Sequence, residues 1–212
     1  MLSSGRWHFF PGCMEFCILN HQKGVILTTI DICRKCYSNH TSCCTVKSKT
    51  GEKMMIPPVS RPEIDQILNF LADKKEDQIF EVKQNSPFYI RQMFNLFPGM
   101  EDSVLRQFPE NGRHFELKTA KEACVLLGSN GCTLPRDIRP HFCRIYPFWF
   151  FEYEPHIFQD SDCLALQTSN TVSEVFLSLG TNPETLKEIH SRICQDWGLF
   201  QTRTPVKLKH SL

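Results

Sequence analysis

With 212 residues, 41% of them hydrophobic and 22% charged, the chain has the make-up of an ordinary globular domain and the length to bury one core, which excludes a fibrous or wholly disordered polymer. A formal net charge of +1, with Lys and Arg scattered rather than massed, gives no electrostatic footprint for nucleic acid. No apolar run reaches the ~20 residues that a membrane span needs, so no membrane association is expected.

At the N-terminus, Arg6 and the aromatic run Trp7–Phe10 are interrupted by Pro11, Gly12 and Glu15. That pattern is a poor signal peptide, and Met14 offers an alternative start. We expect an extension over 1–23, one domain over 24–200 and a loose tail over 201–212. The β-branched run Gly24–Ile32 predicts a strand that delivers the first thiols. A second short strand is expected around Met54–Ile56, ended by Pro57 and Pro58.

Ser60 and Glu63 have capping-box spacing and Pro62 suits a first turn. Ile64, Ile67, Leu68 and Leu71 follow at i, i+3, i+4 and i+7, which predicts a helix. Between 85 and 114, aromatic residues and prolines alternate without sustained periodicity, and the segment is left open. Thr171–Leu179 predicts a helix stopped by Gly180, and Thr181 or Asn182 can cap another that starts at Pro183. The inward face of this last helix reads as Leu186, Ile189, Ile193 and Trp197, with Cys194 beside it in a packing role. The expected fold is α+β, a small, loop-rich single domain with thiols on loops and helices packed around them.

Cysteine dominates the chemistry, at 11 residues. With no export signal the expected compartment is the reducing cytoplasm, where clustered thiols hold metals or do redox work more often than they form disulfides. Cys13, Cys17 and Cys194 read as buried apolar residues. Cys33-Arg-Lys-Cys36 has the spacing of a knuckle-like chelate, and Cys43-Cys44 follows. Far along the chain come Cys124, Cys132, Cys143 and Cys163. Loop closure over such a distance costs entropy that grows slowly with length, whereas thiolate-bound zinc can supply ~10–16 kcal/mol. Soft sulfur favours zinc, copper(I) or an iron–sulfur cluster, and spacing does not separate zinc from iron. In an extended backbone Cys43 and Cys44 point apart, so ligation by one of them is expected over ligation of the same ion by both. His40 and His141, each near a cysteine, are weighed as ligands against the plainer role of hydrogen-bonded loop histidines.

The stretch Cys124-Val-Leu-Leu-Gly-Ser-Asn-Gly-Cys132, followed by Arg139-Pro140, Cys143-Arg144 and Tyr146-Pro147, resembles the signature of the YkgJ-type cysteine-cluster family, described as zinc- or iron-chelating. The family's first block is CxxCxxCC; here six residues, Tyr37–Ser42, separate Cys36 from Cys43, a longer link than the family's. The resemblance, over Cys33 to Cys163, implies Cys33, Cys36, Cys43, Cys44, Cys124, Cys132, Cys143 and Cys163 as metal ligands. It leaves Arg139 and Arg144 either balancing thiolate charge or serving as surface residues, with Pro140 and Pro147 shaping the loop. Flagellin lysine N-methylases resemble the same family, which implies methyl transfer from S-adenosylmethionine as an alternative. No GxGxxG loop, P-loop, HExxH or Cys-x3-Cys-x2-Cys run supports an enzyme. A third reading, thiol redox work by Cys33 and Cys36, lacks the surrounding βαβ pattern of thioredoxins.

Overall fold

The computed structural model describes residues 56–158 and 163–200, together with residues 32, 33, 35, 36, 43 and 44. Eight helices carry the bulk of it: α1 (Arg61–Phe70), α2 (Glu76–Ile79), α3 (Pro87–Leu96), α4 (Glu101–Gln107), α5 (His141–Ile145), α6 (Leu164–Thr168), α7 (Val172–Leu179) and α8 (Pro183–Trp197). Four two-stranded antiparallel sheets lie between them, pairing β1 (Phe80–Gln84) with β2 (Arg113–Leu117), β3 (Thr119–Ala120) with β4 (Ala123–Cys124), β5 (Leu127–Gly128) with β6 (Gly131–Cys132), and β7 (Phe148–Phe151) with β8 (Glu154–Ile157). The fold is therefore α+β. Among the described residues no helix is long and apolar enough to cross a membrane.

Local chemistry accounts for the helices. Ser60 precedes α1, and the Glu63 carboxylate accepts its backbone N–H at 2.7 Å, closing the predicted cap from the N3 side. Ile64 and Ile67 are buried, and Leu68 and Leu71 pack beside them. Thr171 caps α7 by accepting from the Glu174 N–H, and Gly180 ends it at φ 57°, where a side chain would be strained. Asn182 does the same for α8 by accepting from the Thr185 N–H at 2.7 Å. Leu186, Ile189, Ile193 and Trp197 are all buried, as their spacing predicts, at ~1.5–3 kcal/mol each. Cys194 packs partly buried against the same cluster.

The segment left open resolves into α3, α4 and the ends of the β1–β2 ladder, in which Phe80 faces Leu117 and Gln84 faces Arg113. Ser86 caps α3 by accepting from the Tyr89 N–H at 3.1 Å. Two expectations change. Ile32, placed in the strand Gly24–Ile32, is helical along with residues 33, 35 and 36, because the CxxC spacing is satisfied by a helical turn as well as by a strand exit; 24–31 lie outside the described residues. Of the strand expected around Met54–Ile56, Met54 and Met55 lie outside the described residues; Ile56 and Pro57 form no strand, and Pro58 makes a single bridge to Glu116, as a residue without an N–H cannot extend a ladder. Residues 1–23 and 201–212 also lie outside the described part.

Among the described residues, two apolar clusters make up the core. The larger joins α3, α4, α5, the β7–β8 hairpin, α7 and α8 around Met93, Phe97, Phe148, Leu186 and Ile193. The smaller joins α1, β1 and the short hairpins around Val59, Ile64, Ile67, Leu126 and Leu134. The two meet around a cavity.

Candidate metal centre

Short hairpins and helix ends place the thiols. Cys124 closes the β3–β4 hairpin opposite Thr119, and Cys132 closes β5–β6 opposite Leu127. The β3–β4 turn is made by Lys121 and Glu122, at φ 51° and 65°. Both sit in the left-handed region where non-glycine residues cost ~1–2 kcal/mol, so the surrounding pairing holds the turn that aims Cys124. Cys143 rides on α5, and Cys163 is the residue before α6. The two halves of the cysteine pattern meet directly: the Cys44 carbonyl accepts the Cys124 N–H at 2.8 Å.

All eight expected ligands line one cavity of about 70 Å³, several times the roughly 10–15 Å³ that a single water requires. Its other walls are apolar side chains from both core clusters, among them Leu117, Leu126, Leu134, Ala165 and Leu179, together with Arg136, Arg139 and Tyr146. Among the described residues, no three His, Cys, Asp or Glu side chains are drawn tightly enough to chelate one ion as they stand. The donor set nevertheless suits a thiophilic group. Each of these cysteines lines the cavity, and rotation about a single χ1 moves its sulfur between staggered positions.

The electrostatics divide the thiols. Cys43 and Cys44 lie in a turn, not an extended strand, so their sulfurs meet instead of pointing apart, and both reach the cavity. The Cys44 thiol donates to Cys43, which lowers Cys43 below its ordinary value; Arg139 and Arg136 assist against the cost of burial. The same hydrogen bond, then burial, raises Cys44. Burial pushes Cys124 and Cys163 up to about 11, although the Leu126 N–H opposes the shift at Cys124 and the Ala165 and Leu166 N–H groups oppose it at Cys163. Cys132 is raised by burial, opposed by Arg139 and then by the Leu134 N–H. Cys143 is pushed well up by burial and then by the charges of its neighbouring cysteines. In the absence of a cation most of these groups are neutral thiols; a bound cation supplies the charge that would ionise them.

The orientation of α5 depends on Glu63. Its buried carboxylate accepts the His141 N–H at 2.6 Å, satisfying a donor at the start of α5, and also the Ser60 hydroxyl at 2.7 Å. The same hydroxyl lies 2.8 Å from Asp196 on α8. Sequence reasoning found Glu63 only as a capping residue; its second task bridges residues far apart in the chain and leaves no local signal. His141 turns from the cavity toward α8, with Nε2 3.6 Å from Asp196, so the helix that presents Cys143 presents this imidazole elsewhere. His40, Cys13 and Cys17 lie outside the described residues. Of the two arginines singled out by sequence, Arg139 lines the cavity and Arg144 does not; Arg136 stands there instead. The Arg-x-x-Arg repeat at 136 and 139 was the available signal.

No family model matches this chain, and neither a curated protein nor a solved structure matches it.

Proposed function

We propose that this chain is a metal-binding protein that holds an iron–sulfur cluster or zinc through cysteine thiolates, in a structural or electron-carrying role, and that it is a relative of the YkgJ-type proteins it resembles. One observation carries the reading: Cys33, Cys36, Cys43, Cys44, Cys124, Cys132, Cys143 and Cys163, drawn from separate stretches of the chain, all line a single cavity. The size of that cavity favours a multi-atom cluster, since a closed tetrahedral zinc leaves little room beyond its ligands. A site of this kind belongs in a reducing compartment such as the cytoplasm. Thiol exchange by Cys33 and Cys36 has less support, because Cys36 is buried and exchange requires an accessible thiolate. Methyl transfer draws on the resemblance alone.

The test is anaerobic purification of the full chain, with iron, zinc and acid-labile sulfide measured per chain and the visible spectrum recorded. Matching iron and sulfide with broad visible absorption supports the cluster; stoichiometric zinc in colourless protein supports the structural ion. A folded chain that binds neither, before or after reconstitution, refutes the proposal.

A further inference from the structure

Arg136 and Arg139 stand in the wall of a largely apolar cavity. Among the described residues no carboxylate lies within salt-bridge distance of either guanidinium, whereas the ion pairs present elsewhere engage Arg61 and Arg192. Arg136 and Arg139 are both half-buried, and cations partly withdrawn from water are ordinarily paired. Here each is tied to a backbone carbonyl beside the cysteine segments. The Arg136 Nη2 donates to the Arg144 carbonyl at 3.3 Å, next to Cys143. The Arg139 Nε donates to the Leu134 carbonyl at 3.0 Å, two residues past Cys132. One bond uses a small part of a guanidinium's five donors. The anionic partners open to the remaining charge are sulfurs: Cys33 and Cys43 near Arg136, which also feels the cations of Arg139 and Arg144, and Cys43 and Cys132 near Arg139. Arg144 differs, having Asp137, Glu188 and Glu63 as its anionic neighbours.

We infer that Arg136 and Arg139 are positioning residues that serve as the fixed counter-cations of a metal–thiolate group in the cavity. The inference rests on the metal-binding reading above and adds a charge balance to it. Four thiolates around zinc, or around an oxidised cubane cluster, leave two net negative charges. Among the described residues of the wall, two guanidinium groups cancel them. The wall therefore suits a four-thiolate dianion, and the other cavity cysteines remain protonated beside it.

The experiment uses the full apo chain, zinc as probe and a competing colorimetric chelator under anaerobic conditions. Arg136→Gln and Arg139→Gln keep a hydrogen-bond donor but lose the charge, and each is expected to weaken zinc about 10–100-fold. Arg136→Lys and Arg139→Lys keep the charge and are expected to bind within a few-fold of the parent. Arg144→Gln, the control, is also expected to bind within a few-fold, and all apo variants should melt together. Gln and Lys variants that weaken binding equally, or lower apo melting in parallel, would show a structural tether and overturn the inference. Unchanged affinity in both Gln variants overturns it while leaving the metal reading intact. A parent chain that binds neither zinc nor a reconstituted iron–sulfur cluster overturns both.

Discussion

Replacing Glu63 with alanine tests whether one buried carboxylate holds the α1, α5 and α8 corner together. The side chain accepts the Ser60 N–H at 2.7 Å, the His141 N–H at 2.6 Å and the Ser60 hydroxyl at 2.7 Å, and the residue is only 4% exposed. Alanine leaves two buried backbone donors without partners, at about 1–3 kcal/mol each. Removing a buried negative charge recovers part of that cost, for a net loss of about 2–4 kcal/mol. In a domain of this size the melting temperature should fall by about 4–16 °C. Glu63→Gln retains one acceptor but turns an amide N–H₂ toward the second donor, so an intermediate loss is expected. Chemical denaturation read by circular dichroism gives the difference directly. A loss below about 0.5 kcal/mol for alanine, the level of an ordinary surface change, would refute the bridging role.

Three further outcomes are expected. His190 is stacked between Phe97 and Phe150, at centroid distances of 6.0 and 4.0 Å, and burial lowers it from 6.5 to about 4. The unfolded chain protonates first as pH falls through 6.5, so stability from the neutral ring is complete above that pH and declines toward pH 4, by up to about 3 kcal/mol; in His190→Leu this part of the acid dependence should vanish, and an unchanged slope would contradict the assignment. Gly112→Ala should cost about 1–3 kcal/mol in urea unfolding, since a Cβ would meet the Pro109 carbonyl and the Asn85 side chain at 2.9 Å; no loss would mean the turn relaxes freely. Cys132→Ser and Cys143→Ser should each lose most bound metal by elemental analysis while Cys194→Ser keeps it, because Cys194 packs against His190 with Sγ 3.9 Å from Nε2 and lies outside the cavity; equal retention in all three would count against the site.

The parts of this fold that sequence made legible are those with local causes. α1, α7 and α8 follow from Ser60, Thr171 and Asn182 as caps and from apolar stripes at helical spacing. α3 carries the same signal in Ser86 and Pro87, but its burial is shared among aromatic residues that blur the period. The β3–β4 and β7–β8 hairpins were hidden for another reason. Their turns are Lys121-Glu122 and Glu152-Tyr153, at positive φ in both residues, where the usual hairpin signals are Asn-Gly or Asp-Gly. Those exposed turns are held by the strand pairing on either side, which a local turn signal does not display. At the cavity, clustering of cysteines pointed to all eight thiols that line it. The exchange of Arg144 for Arg136 depends on which way a short helix faces, and that is fixed from outside by Glu63.

The cavity lies where the two apolar clusters meet, with Leu126 and Leu134 from one and Ala165 and Leu179 from the other in its walls. A group bound there would act as a further cross-link between the two clusters, beside the Glu63 corner and the stacking of Tyr89 on His114. Its binding energy would be spent on cooperativity: loaded protein would unfold as one unit, with calorimetric and van't Hoff enthalpies in agreement, whereas the stripped chain could open its smaller half first.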